Sequence, residues 1–192
     1  MRLAIKAYRA PFLLITFSIL GIIGLLMSNV ALSFPSVTGE ARVPIGIILG
    51  LIACAITASA ALGGWPEPQT VTVRPAGGIL AVILGALTCI SLGSVALIGS
   101  VGWNAGTLFA GTTAWLLAIQ LVVGIFASSK YQAMGPAVYV LLCALVGRVD
   151  GQVQPWAWPL AELDGILALA IGGVCLLSSL ILLSFLGLHR QN

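Results

Sequence analysis

The chain has 192 residues, 60% of them hydrophobic and only 7% charged, with a net charge of +3. Together with a mean hydropathy of +1.15, this excludes an ordinary water-soluble domain, in which about 25% of residues are charged. The eight Lys and Arg residues stand singly along the chain and form no basic patch of the kind nucleic acid needs. A spanning helix takes roughly 20 apolar residues, so the expected fold is all-α, a polytopic membrane domain of about six transmembrane helices with short connections.

In chain order, residues 1–10 come first. Arg2, Lys6 and Arg9 share one helical face, with Leu3, Ile5 and Tyr8 turned away and Pro11 at a first-turn position. This reads either as an interfacial helix leading into the membrane or as plain anchoring by positive charge. The apolar stretch that follows is too long for a secretory signal and lacks a convincing cleavage site, so it counts as the first span. Apolar runs at 11–32, 43–63, 77–100, 107–127, 131–147 and 165–188 read as six spans, and every Asp, Glu, Lys and Arg falls between or outside them. The fifth run is short and carries Pro136. It reads as a kinked span or as a hairpin that dips in and returns, which makes five spans the competing count.

Orientation follows from the basic residues. With the N-terminus inside, Arg2, Lys6, Arg9, Arg74, Lys130 and Arg190 are cytoplasmic and only Arg42 and Arg148 lie outside. Both termini are therefore expected in the cytoplasm, with the chain in the plasma (inner) membrane. Glu40, Asp150, Glu162 and Asp164 then face out.

No ionisable side chain lies inside an expected span, so no proton relay, voltage sensor or charged selectivity ring is visible. Cys54, Cys89, Cys143 and Cys175 sit within the spans without a C-x-x-C pair and read as small packing residues; the single histidine, His189, stands at the end of the last span. No nucleophile–base pair, metal cluster or ATP-binding loop is present, so no enzyme activity and no cofactor are expected of this chain itself. Small residues recur at helix-packing spacing, at Gly46 and Gly50, at Ala55 and Ser59, and at Ala168 and Gly172. They fit packing inside one bundle and a subunit interface equally well. Gln120, with Thr112 and Thr113 a few turns away, is the most polar group inside a span and reads as an interhelical hydrogen bond or as part of a pathway.

Two connections stand out. Residues 64–75, expected inside, hold Trp65, Pro66, Glu67, Pro68, Arg74 and Pro75, a stiff and wet loop suited to docking a partner. Residues 148–164, expected outside, hold Pro155, Trp156, Trp158 and Pro159. Indoles suit the interface and the prolines block a long helix, so a membrane-seated cap, a shallow re-entrant turn and a plain tryptophan-anchored loop all fit.

Three stretches carry a resemblance: residues 103–111 (WNAGTLFAG), 135–139 (GPAVY) and 156–160 (WAWPL). Together they resemble small permease subunits of ABC-2-like ABC transporters from actinobacteria, over roughly the second half of the chain. In that family an asparagine–glycine turn opens a span, here at Asn104, and an arginine commonly precedes the asparagine; Trp103 stands in its place. The resemblance implies six spans, an interfacial N-terminal helix, and a first cytoplasmic loop that contacts a separate cytoplasmic ABC ATPase, where the ATP would bind. On this sequence that loop is Trp65, Glu67 and Arg74, and the outer cap is Pro155, Trp156, Trp158 and Pro159. It further implies pairing with a second permease chain, identical or different, and favours export. Two other classes stay open: a six-span substrate-binding module of an energy-coupling transporter, which predicts a closed polar pocket within one chain, and a scaffold or assembly protein, which predicts small-residue faces given over to a permanent partner.

Overall fold

The structure is a computed structural model that describes residues 10–27, 30–36, 39–63, 103–127, 131–149, 152–161 and 164–189. The expected interfacial segment before residue 10, the third span at 77–100 and the loop residues Trp65, Glu67 and Arg74 lie outside them. Among the described residues the chain is mostly helical: α1 is Ala10–Leu26, α2 Ile45–Gly63, α3 Trp103–Phe126, α4 Met134–Val146 and α5 Gly165–His189. Pro11 and Pro136 each fall in the first turn of their helix, where the missing N–H has no partner to lose. Two of the described helices, over Gly106–Phe126 and Gly165–Leu182, are long and apolar enough to cross a membrane. Helix α4, with 13 residues, extends only about 20 Å against a hydrocarbon core of about 30 Å.

The sequence reading carries the first span to residue 32 and starts the second at 43, and the structure corrects both ends. Helix α1 stops at Leu26, and an antiparallel hairpin of β1 (Ala31–Ser36) and β2 (Gly39–Pro44) leads into α2. Leu32 and Phe34 alternate with Ser33 and Pro35, a period of two that the surrounding apolar run conceals. Pro44 disfavours helical geometry in Val43, so α2 begins only at Ile45. A second, two-residue hairpin of β3 (Arg148–Val149) and β4 (Gln152–Val153) precedes a 3-10 turn over Pro155–Leu160.

Helix directions emerge from the residues that meet. Gly46 faces Phe109 and Gly50 faces Thr113, while Thr57 bonds Gln120 at the same separation of 63 residues. A constant offset means that α2 and α3 run parallel. Likewise Gly172 lies on Gly111 and Ser179 reaches the Ala118 carbonyl, 61 residues away, so α5 is parallel to α3 as well. Helix α4 runs the opposite way, with Gly135 against Val123 and Ile119 and Tyr139 against Trp115. Helix α3 touches every other described helix and forms the axis of the bundle.

Small residues set the closest approaches. A methyl on Gly111 would run into the Ala168 carbonyl, and one on Gly172 into the Gly111 carbonyl. The pairs Gly46/Gly50 and Ala168/Gly172 thus face α3 within one chain, the internal-packing alternative of the two that the spacing allows. Around this axis Ala53, Ala110, Ala114 and Leu116 are fully buried. The outward sides of α1, α4 and α5 expose Ile15, Ile19, Leu141, Val174, Leu177 and Ile181, the surface expected of helices solvated by lipid.

Candidate functional site

The buried polar residues lie along α3 and on the helices that pack against it, and Gln120 with Thr57 joins α3 to α2. The Thr57 hydroxyl donates to the Cys54 carbonyl at 2.8 Å, and Gln120 Nε2 donates to Thr57 Oγ1 at 3.2 Å. Gln120 is 5% exposed and Thr57 3%, so this amide is held by a neighbouring helix. Thr112 turns back on its own helix, donating to the Leu108 and Phe109 carbonyls. Thr113, pressed against Gly50, keeps a buried hydroxyl with no partner. Ser179 donates to Cys175 O at 2.8 Å and lies within 3.5 Å of Ala118 O. Asn104 is the second residue of α3, at the opposite end of that helix from Gln120.

The Gln120–Thr57 bond yields a direct expectation. Interhelical hydrogen bonds in membranes contribute about 0.6 kcal/mol on average and at most about 1.7 kcal/mol. A double-mutant cycle of Gln120→Leu and Thr57→Val, read by thermal unfolding in detergent, should give a coupling of that order; additive losses would mean the two side chains do not act together.

The second part of the site lies at the end of the bundle that carries both hairpins. Gln154 N–H donates to the Gly147 carbonyl at 2.9 Å, closing the chain back on the end of α4. Gly147 is required there, because a Cβ would strike the Cys143 carbonyl and crowd Ala157 and Leu160. Pro155 and Pro159 limit the next stretch to a short 3-10 turn, kinked at Ala157. This turn drops Trp158 into the bundle, 8% exposed, and leaves Trp156 44% exposed. The Trp158 indole packs edge-on against Trp115 of α3 with centroids 5.8 Å apart, and Trp115 meets Tyr139 at 6.1 Å. Tyr139 Oη donates to the Trp156 carbonyl at 2.7 Å, tying the turn to α4.

The structure therefore separates the two tryptophans that the sequence reads alike: Trp158 is an interior anchor and Trp156 an edge residue. Sequence reading did not single out Trp115, Tyr139 or Thr57. Trp115 and Tyr139 were visible as aromatic residues inside spans, but their meeting with Trp158 depends on the antiparallel register of α3 and α4. What these residues can do chemically is neutral hydrogen bonding and aromatic packing inside an apolar bundle closed at one end by a small cap.

Comparison with known protein families, with characterised proteins and with solved structures finds no match for this chain.

Proposed function

We propose that the chain is the six-span membrane permease subunit of an ABC-type transporter, driven by a separate ATPase and working in the direction of export. It would lie in the plasma (inner) membrane with both termini in the cytoplasm and with the two hairpins outside. The observation that carries this reading is the shared direction of α2, α3 and α5. Helices that share one direction fit a path that returns between them, through α4 between α3 and α5, and with α1 leading to the first hairpin we read the whole path as six crossings. Short α4 followed by a folded cap before the final helix further supports the likeness to ABC-2-like permeases. In this reading Trp65, Glu67 and Arg74 contact the ATPase, and a second permease chain, identical or different, completes the pathway. ATP-driven closure of the ATPase pair would switch the two permease chains between inward-open and outward-open states.

The test is a mild-detergent pull-down of the tagged chain from its native membrane, with mass spectrometry and an ATPase assay on the eluate and a Glu67→Lys variant alongside. Recovery of a Walker-motif ATPase together with a permease partner, both weakened in the variant, is the expected result. An ATPase-free eluate overturns the reading and moves the assignment to a stand-alone binding module or a scaffold.

A further inference from the structure

At the hairpin end the chain carries a cleft distinct from the Gln120–Thr57 pair. The last part of α1, the starts of α2 and α3 and the 3-10 turn converge on it, and its lining includes Gly24, Gly46, Ile47, Phe109, Thr112 and Pro159. Its volume is about 40 Å³, against about 10–15 Å³ for a single water on the same kind of measure. Among the described lining residues Thr112 is the one with a polar side-chain atom, and its hydroxyl is spent on the carbonyls of Leu108 and Phe109 at 2.8 and 3.0 Å. Among the described residues the side chains of the lining thus offer a guest no free polar group, and the polar part of the lining is backbone. Two glycines bare the aromatic floor: a Cβ on Gly24 would sit 3.2 Å from the Phe109 ring and one on Gly46 would sit 3.6 Å from it. The flanking surface is apolar as well, with Ile22, Leu26, Val30 and Leu32 exposed on α1 and the first hairpin.

One wall of this cleft, Pro159, belongs to the turn that Trp158 anchors. The turn is held by the edge-on contact of Trp158 with Trp115 and by the hydrogen bond from Tyr139 to the Trp156 carbonyl. Its seating also buries the Trp158 indole N–H without a partner, a desolvation cost that offsets part of the aromatic gain.

We propose that residues 155–160 are a lid over this cleft, latched by Trp158, and that the cleft receives the end of a phospholipid acyl chain from the surrounding leaflet. No ATPase is needed for this exchange, so it stands or falls apart from the transporter reading. The acyl tail is the guest because the described side chains around the cleft are apolar or, at Thr112, already hydrogen-bonded within their own helix, and the rim continues the apolar outer surface of α1 and the hairpin.

The experiment uses the full chain in phosphatidylcholine nanodiscs doped with a phosphatidylcholine that carries a diazirine at the end of one acyl chain. After photolysis, labelling of buried Phe109 and Thr112 is compared by peptide mass spectrometry with that of lipid-exposed Val174 and Leu177 in the same sample. The wild-type chain should show label at Phe109 and Thr112. Trp158→Ala should raise their share by roughly three- to tenfold, the factor that loss of one aromatic pair puts on an open–closed equilibrium. Tyr139→Phe, which keeps the ring and removes only the hydroxyl, should raise it in the same direction and serves if Trp158→Ala does not fold. Gly46→Val should remove the label, because residue 46 lines the cleft and its added Cβ lies 3.6 Å from Phe109, so the larger side chain takes up the small volume. Absence of label at Phe109 and Thr112 overturns the acyl-chain assignment; label unmoved by Tyr139→Phe and by a folded Trp158→Ala overturns the lid, and label that survives Gly46→Val overturns the cleft as its route.

Discussion

Gly111→Ala is expected to cost the bundle about 1–3 kcal/mol or more, although it adds a single methyl group and uses the best helix former. The reason is geometric. At Gly111 the backbones of α3 and α5 are in contact, and the new Cβ would fall on the carbonyl carbon and oxygen of Ala168, with the Leu169 amide nitrogen next to them. Backbone atoms cannot turn aside as a flexible side chain can, so the two helices must separate and give up contacts along their whole shared face. Gly172→Ala should behave alike, since its methyl meets the Gly111 carbonyl from the other side. Gly173→Ala is the matched control: nothing lies within 4 Å of its added methyl. That variant should gain about 0.5–1 kcal/mol from the lower backbone entropy of alanine. Thermal unfolding of the detergent-solubilised chain reads all three, and a Gly111→Ala protein as stable as wild type would show that α3 and α5 do not cross there.

The second large effect concerns the environment of α5. Val174 is 63% exposed, and the apolar window of this helix, Gly165–Leu182, is only 28% buried within the chain. On a water-soluble protein Val174→Arg would be harmless or would improve solubility. In a bilayer it places a charge on the lipid-facing side near mid-helix, at a cost of about 2.5–3.5 kcal/mol on insertion scales. We expect a corresponding fall in the fraction of α5 that inserts, measured with glycosylation tags on either side of the segment. Val149→Arg, on an exposed strand residue at the hairpin end, should leave insertion of α5 unchanged. Full insertion of the Val174→Arg variant would mean that this face does not meet hydrocarbon.

Helical character and apolar faces could be read from composition and periodicity, because α1 to α5 contain long apolar runs with no charged residue inside. The pairing of those faces could not. Gly46 with Gly50 and Ala168 with Gly172 announce close approach, but nothing in their spacing says that both pairs meet α3 or that Gly111 is the shared contact. Residues 31 and 32 read as the end of a helix because a hydrophobic run looks the same at either period when its polar partners are few, and it is Ser33 and Pro35 that betray the strand. Gln120 was identifiable as an interior polar group, while its partner Thr57 stands 63 residues away and a threonine in a span usually satisfies itself on its own helix. The cap was legible in part. Paired tryptophans and prolines mark residues 155–160 as an interfacial turn, yet the burial of Trp158 and the exposure of Trp156 follow from the kink at Ala157, which no residue type dictates.

The central place of α3 has a bearing on how the protein is made. As the chain leaves the ribosome, α3 follows α1 and α2 and finds Gly46 and Gly50 waiting for one of its sides. Its other side, where Gly111 leaves the backbone bare, is matched among the described residues by Ala168 and Gly172 of α5, a helix synthesised after it. Until those residues arrive, a groove as deep as the α3 backbone stays open to lipid or to any other passing helix with a small-residue face. Helix α5 is therefore the keystone of assembly, and a product truncated before residue 165 would retain its earlier apolar segments while leaving the Gly111 face of α3 without this partner.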